Sequence, residues 1–115
     1  MESPPVDKSQ RPWPGGAVNI SQMISAQPGA VVSRVLLKRK SGNVTLFAFD
    51  AGQELSEHTA PFDALVQVLQ GEAKITIAGN PITVRSGEAL LLPAGKPHAV
   101  YAPVELRMLL TMIRE

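Results

Sequence analysis

Apolar and polar residues alternate in short runs from residue 31 onward, as they do in strands that bury one face. The alternation is cleanest at residues 73–77 (AKITI) and 82–85 (ITVR). The other β-prone runs occupy residues 31–38, 43–49, 64–69, 88–93, 98–101 and 104–113. Turn-forming residues separate these runs about every ten residues, which predicts antiparallel connections.

The runs together predict an all-β fold of about eight short antiparallel strands, either a barrel or a sandwich. A closed or double-sheet form is favoured because it leaves few strand edges exposed. Apolar residues within positions 18–24 predict a short helix or turn, which the sequence Gln27-Pro28-Gly29 ends. No long helix is predicted.

A chain of 115 residues is long enough for one core and too short for two ordinary domains. Residues 1–16 contain four prolines and two glycines, a composition that disfavours both helix and central strand. We therefore predict an N-terminal arm at residues 1–16 and one domain at residues 17–115. Two interpretations of Trp13 stay open: it pins the arm to the domain or to a second subunit, or it belongs to a mobile tail.

Composition excludes several classes of function. Apolar residues make up 44% of the chain, but no run approaches the roughly 20 residues of a membrane helix. A net charge of +1, with one basic cluster at residues 38–40, does not suggest a nucleic-acid surface. The chain has no cysteine, and its N-terminus lacks the pattern of a secretory signal. We expect a cytoplasmic protein that binds neither nucleic acid nor membrane.

Two glycine-anchored motifs carry the chain's two histidines. Residues 87–98 (GEALLLPAGKPH) fit G-x5-P-x-G-x2-H, and Gly52 lies six residues before His58, with Gly71 thirteen residues after it. In this pattern and order the sequence resembles a small single-domain cupin over about residues 42–113. The resemblance implies an antiparallel jelly-roll β-barrel that associates as a homodimer.

The family pattern supplies three histidines and a glutamate to a divalent metal, but this chain keeps only His58 and His98 of that set. Ala60 stands at the second histidine position and Ala64 at the glutamate position, while Ala102 replaces the family's asparagine. Two imidazoles with open positions suit Zn, Ni, Fe, Mn or Cu, although a catalytic zinc site normally has three protein ligands. His58 and His98 are therefore the tentative metal ligands. Glu54, Glu57 and Asp63 are candidates for replacement ligands.

Strand alternation and the family register predict which side chains share the barrel interior. The predicted pocket is largely apolar, and its lining is His58, His98, Ala60, Ala64, Val66, Val100, Met108 and Met112. Because no third residue completes a recognisable catalytic set, we expect a cupin that binds an unidentified small molecule. The alternative is a cupin enzyme, either a metal-dependent oxygenase or a metal-free isomerase, epimerase or lyase.

Other residues receive structural interpretations. Phe47 and Phe49 lie on one side of their strand and are expected in the core. Gln67 is expected on the outer face or at a subunit contact, and Tyr101 at the rim or an interface. Lys96 is expected to be solvated, with attraction of an anionic ligand as its alternative role.

Overall fold

The computed structural model describes residues 13–114, so most of the predicted N-terminal arm lies outside the described residues. The described chain consists of two antiparallel β-sheets, connected by turns and preceded by a single 3₁₀ turn. The elements are the 3₁₀ turn Ile20–Met23, β1 (Val31–Arg39), β2 (Gly42–Phe49), β3 (Glu54–His58), β4 (Asp63–Gln70), β5 (Glu72–Ile77), β6 (Asn80–Arg85), β7 (Ala89–Leu92), β8 (His98–Tyr101) and β9 (Leu106–Ile113).

One sheet has the strand order β1-β2-β9-β4-β7 and the other has the order β3-β8-β5-β6. The two sheets form a jelly roll rather than one closed sheet, which confirms the predicted fold class. The eight predicted strands are all present, and the predicted short helix is the 3₁₀ turn. No helix within residues 13–114 has the length and apolar character needed to cross a membrane.

The core lies between the sheets and receives alternate side chains from both. In β4, the even-numbered residues Ala64, Val66 and Val68 are buried, whereas the odd-numbered residues up to Gln67 are exposed. Phe49 is fully buried in this core and Phe47 packs against it, as predicted. Four apolar side chains share one face of β9 and also belong to this core: Leu106, Met108, Leu110 and Met112. Period-two patterning therefore separates core and solvent faces along most strands.

A second apolar cluster lies outside the five-stranded sheet, where residues 20–26 cover part of its outer face. Ile24 packs there with the fully buried Leu46 and Ala48 of β2. Two arginines of the sheet hold the covering segment through its carbonyl oxygens: Arg34 Nη1 donates to Met23 O at 3.0 Å, and Arg107 Nη1 donates to Ser21 O at 2.5 Å. The segment thus serves as a partial lid on this sheet.

Tight turns set the spacing of the strands. Gly71, between β4 and β5, has φ +84°, and a Cβ atom at this position would collide with the backbone carbonyl of Glu105. Glycine is therefore required there for two separate reasons. The β5–β6 hairpin turns at Ala78 and Gly79, which both have positive φ, as a two-residue type I′ turn requires.

Candidate functional site

The two histidines lie opposite each other on neighbouring strands. β3 is one of the two edge strands of the four-stranded sheet and pairs with β8, where His58 and His98 are register partners. The register shifts between Leu55 and His58. Such an irregularity re-aims the side chains that follow it, and here it accompanies the meeting of the two rings.

The rings meet through their Nε2 atoms. The distance between His58 Nε2 and His98 Nε2 is 3.1 Å, and the ring centroids are 4.3 Å apart with an interplanar angle of 68°. His98 is buried, with 8% of its surface exposed, whereas His58 is exposed. A molecule arriving from solvent therefore meets His58 first.

Each ring also contacts a backbone carbonyl through its Nδ1 atom. His58 Nδ1 lies 3.0 Å from Ser56 O, and His98 Nδ1 lies 3.3 Å from Lys96 O. A carbonyl oxygen only accepts hydrogen bonds, so each contact requires a proton on Nδ1. If both rings are neutral, both Nε2 atoms then carry lone pairs that face each other without a proton between them.

Counting protons resolves this conflict. The two Nδ1 contacts and the Nε2–Nε2 contact need three protons in total, but two neutral imidazoles carry two. One additional proton between the Nε2 atoms satisfies all three contacts and gives the pair a single positive charge. Burial lowers the pKa of His98, the hydrogen bond to the Lys96 carbonyl opposes this, and the nearby His58 charge adds to the lowering. With both rings neutral, the pair therefore lacks the proton that its Nε2–Nε2 contact needs.

The remaining predicted pocket residues lie on strands of both sheets and on the segment between β3 and β4. Ala60 is half-buried, and its carbonyl accepts a hydrogen bond from Gly95 N at 2.9 Å. Ala64 and Met112 are register partners across β4 and β9. The other three, Val66, Val100 and Met108, are almost completely buried in the same apolar cluster. The proposed pocket lining stays a prediction.

The candidate replacement ligands do not join the histidines. Glu54 and Glu57 are exposed on β3, and Asp63 Oδ1 accepts a hydrogen bond from Ala94 N at 2.8 Å. Across residues 13–114, no group of three or more His, Asp or Glu side chains is arranged to hold a metal ion. Asp63 instead ties the start of β4 to the turn before β8.

The distance between the two Nε2 atoms would allow both rings to bind one metal ion, but two protein ligands are fewer than such a site normally has. Two metal–nitrogen bonds of about 2.0–2.1 Å would span the distance between the Nε2 atoms, so His58 and His98 would be the ligands of a shared ion. However, two neutral ligands without a carboxylate leave a divalent charge uncompensated. The donor set therefore does not fit a tightly held catalytic metal.

Several side chains interpreted from the sequence have surface positions. Gln67 is exposed on the outer face of β4, and Tyr101 is exposed at the end of β8. The side chain of Lys96 is exposed, and the backbone carbonyl of Lys96 contacts the His98 ring. Trp13 is 51% exposed and lines an apolar groove of about 340 Å³ with residues of β1, β2 and β9.

The carbonyls of Ser56 and Lys96 were not predicted to contribute to the site. Each belongs to the residue two positions before a histidine, and together they fix which ring nitrogen carries a proton. Side-chain patterns carry no signal for this role, because any residue at these positions offers the same carbonyl group.

The fold and the two motif histidines define a cupin, and the family model for the cupin domain matches residues 45–113. The chain therefore belongs to the cupin family. No curated protein sequence matches the chain significantly.

Solved structures show the same fold over nearly the whole chain. A conserved protein of unknown function from Streptococcus pyogenes is 32% identical, with 96% of each chain covered and a TM-score of 0.87. A cupin superfamily protein from Desulfitobacterium hafniense is 28% identical, covering 94% of this chain and 97% of its own, with a TM-score of 0.85. A cupin 2 conserved barrel domain protein from Leptotrichia buccalis is 37% identical over 84% of this chain and 47% of its own, with a TM-score of 0.80.

Proposed function

We propose that this cupin binds a small organic acid at the imidazole pair. The observation that carries the proposal is the 3.1 Å distance between two Nε2 atoms whose Nδ1 partners are already engaged by carbonyl oxygens. Such a pair lacks one proton. A weak acid supplies that proton, and its conjugate base balances the resulting positive charge.

The surroundings favour an acid with an apolar body. His98 is only 8% exposed, and Val100, two residues along β8, is buried on the same side of the strand. In a site of low polarity, the attraction between a carboxylate or phenolate and the protonated pair is stronger than in water. The partly buried Ala60 and Met112 are the predicted contacts for the apolar part of the ligand. The predicted cytoplasmic location stays a prediction.

A second candidate function is metal-free proton transfer, as in an isomerase, epimerase or lyase. It is favoured by the same pair, because a proton held between two imidazoles is available near neutral pH. In this case His58, which faces solvent, would exchange a proton with the substrate while His98 orients it. Within residues 13–114, no further acid or base side chain contacts either ring.

Calorimetry with benzoate and benzamide, two probes of matched shape, tests the binding proposal. We expect benzoate to bind and benzamide to bind at least about tenfold more weakly. Benzoic acid can supply the proton that the imidazole pair lacks and remain bound as benzoate, whereas benzamide cannot. In buffers of different ionisation enthalpy at pH 7.5, benzoate binding should take up close to one proton. Repeating the titration after chelator treatment separates this effect from a captured metal ion.

His58→Gln and His98→Gln should each abolish the proton uptake, whereas the matched surface variant Lys74→Gln, on an exposed position of β5, should bind as the native chain does. Equal binding of benzoate and benzamide, or benzoate binding that survives both histidine changes, would refute the proposal.

Incubating bound acids in D₂O and following carbon-bound hydrogens by NMR separates the two functions. Exchange that depends on His58 favours the enzyme, and binding without exchange favours the binding protein.

A further inference from the structure

Arg114, the last residue that the structure describes, carries its guanidinium group at the end of the jelly roll that holds the histidines. Arg114 N donates to Ser41 O at 2.7 Å, which continues the pairing of β2 with β9 one residue beyond the strand. Strand alternation therefore puts Arg114 on the same side of β9 as Met112. Met112 packs against the core between the sheets. Arg114 thus lies at the rim of the predicted pocket, one step outward from Met112.

The guanidinium group of Arg114 lies over an aromatic ring. Its central carbon is 5.1 Å from the centroid of the Phe62 ring. In the register of β4 with β9, Asp63 pairs with Ile113, so Phe62 is the residue opposite Arg114. A cation over a ring face is attracted by the ring. This contact positions the cation without supplying a carboxylate to it.

No carboxylate of the described chain neutralises Arg114. Within residues 13–114, the one ion pair joins Arg107 to Glu105. Asp63, next to Phe62, instead accepts a hydrogen bond from Ala94 N at 2.8 Å. A planar guanidinium group matches a carboxylate, which it binds through two parallel hydrogen bonds. Arg114 is therefore suited to bind an anionic group from outside the described chain.

A cavity of about 450 Å³ lies beside Arg114 and Phe62. Its lining comes from the segment before β4, the end of β9 and the turn before β8: Pro61, Phe62, Asp63, Ala94, Ile113 and Arg114. Two of these segments lead directly to the histidines, since Ala60 follows His58 by two residues and Gly95 precedes His98 by three. Gly95 N donates to Ala60 O at 2.9 Å and joins the two segments. The cavity and the imidazole pair therefore lie at the same end of the molecule.

The charged residues of the described chain are divided unevenly between the two ends of the jelly roll. Strand register places the β1–β2 turn, the end of β9 and the start of β4 at one level, the end with the histidines. Among residues 13–114, this histidine end carries five cations and two carboxylates: Lys38, Arg39, Lys40, Lys96, Arg114, Glu57 and Asp63. The opposite end carries three cations and five carboxylates: Lys74, Arg85, Arg107, Asp50, Glu54, Glu72, Glu88 and Glu105. Since an excess of one charge raises the local concentration of ligands with the other, the histidine end attracts anions, and dianions more than monoanions.

We propose that Arg114 binds a second carboxylate of the ligand, so that the site takes a dicarboxylic acid. The inference rests on the proposed function, because it takes the first carboxyl group to lie at His58 and His98. Arg114 and Met112 are two residues apart, about 7 Å along an extended strand. The two carboxyl groups are therefore separated by an apolar spacer that contacts Met112. Phe62 is a positioning residue, which holds the guanidinium group beside the cavity.

Terephthalate and its monoamide test the Arg114 subsite, since the two ligands have the same shape and differ by one charge. Calorimetry at low ionic strength should show that the native chain binds terephthalate at least about tenfold more tightly, because this ligand alone forms the second charge-assisted pair. Sodium chloride should reduce this preference, since dissolved ions screen charges at an exposed site. Arg114→Gln should make the two affinities equal and leave the affinity for the monoamide unchanged.

The matched control is Arg85→Gln, which removes an exposed cation at the opposite end and should keep the native preference. Arg114→Lys should keep part of the preference, because lysine retains the charge but not the two-pronged geometry. Phe62→Leu should lower the preference and Phe62→Tyr should retain it. The affinity for the monoamide should stay constant in both Phe62 variants, because the ring acts on the ligand through Arg114.

Equal affinities of the native chain for the two ligands, or a preference that survives Arg114→Gln, would overturn the Arg114 subsite. Proton uptake on binding of the monoamide reports on the imidazole pair separately. Proton uptake without a preference for terephthalate would reject the subsite and leave the proposed function standing. A preference that Arg114→Gln removes, without proton uptake, would support the subsite and reject the imidazole pair as its partner.

Discussion

The imidazole pair depends on backbone groups that hold each ring by its Nδ1 atom. Ser56 O and Lys96 O occupy the same position relative to His58 and His98, two residues earlier on the strand or turn. This symmetry directs both Nε2 atoms at each other. The site's chemistry therefore follows from strand register and carbonyl placement as much as from the histidines themselves.

The lowered pKa of His98 predicts a loss of stability in acid. Burial and the charge of His58 lower this pKa from its ordinary value of 6.5, which the unfolded chain retains. Between the folded-state pKa and 6.5, the unfolded chain binds more protons, so the free energy of unfolding falls as pH decreases through this window. Below the folded-state pKa, His98 is protonated in both states and causes no further loss of stability.

Urea unfolding of the native chain and of His98→Gln at pH 8 and pH 5 checks this prediction. The native chain should lose more stability between the two pH values than the variant does, because glutamine does not titrate. His58→Gln should show a smaller loss than the native chain, since it removes the ring whose charge disfavours protonation of His98. Equal losses in the native chain and His98→Gln would show that His98 does not contribute to the acid sensitivity.

At the scale of the strand elements, glycine turns hold neighbouring strands at the distances that the jelly roll needs. Gly71 and Gly87 both have positive φ, +84° and +86°, but their surroundings differ. A Cβ atom on Gly71 would meet the carbonyl of Glu105, whereas none of the neighbouring atoms would lie within 4 Å of a Cβ atom on Gly87. A substitution at Gly87 therefore introduces backbone strain alone, whereas a substitution at Gly71 adds a steric collision.

Gly87→Ala should reduce the free energy of unfolding by about 1–2 kcal/mol, the cost of a left-handed conformation for alanine. Gly71→Ala should cost about 2 kcal/mol more than this, because the turn between β4 and β5 must also move away from Glu105. Chemical denaturation of the two variants provides the comparison. If the two variants lose equal stability, the close approach to Glu105 contributes nothing.

The strands could be predicted from the sequence wherever one face is buried. β4 and β5 alternate almost perfectly, so their existence follows from residue order alone. β3 does not show the pattern, because Leu55 is its one partly buried residue and the others are exposed. As an edge strand it is held by pairing with β8, which apolar alternation does not reveal.

The meeting of the two histidines was predictable from the sequence, but its geometry was not. Resemblance to the two cupin motifs, carried by the glycine spacing around His58 and His98, singled out both residues, and their rings are in contact in the structure. The hydrogen bonds of the rings depend on the positions of two backbone carbonyls, and their contact depends on the pairing of β3 with β8. These are long-range consequences of sheet order, which strand-by-strand patterns do not contain.

At the scale of the whole molecule, the homodimer that the cupin resemblance predicts would couple folding to association. Leu65 and Leu91 are exposed on the outer face of the five-stranded sheet, so a second copy that covers them would supply part of the stabilisation. Mass action then makes the unfolding temperature depend on protein concentration. For two chains of 115 residues with ordinary unfolding entropy, a tenfold rise in concentration should raise Tm by about 3 °C.

Calorimetric scans over a hundredfold concentration range should therefore show a rise in Tm of about 6 °C for the native chain. Leu91→Lys, at an exposed position of β7, should weaken the predicted dimer and show a Tm that is lower and independent of concentration. Val104→Lys, which changes an exposed apolar residue just before β9, is the matched control and should follow the native chain. A native Tm that stays constant over this range would mean that the two-sheet fold reaches its full stability alone, and that the exposed leucines of β4 and β7 are tolerated in water.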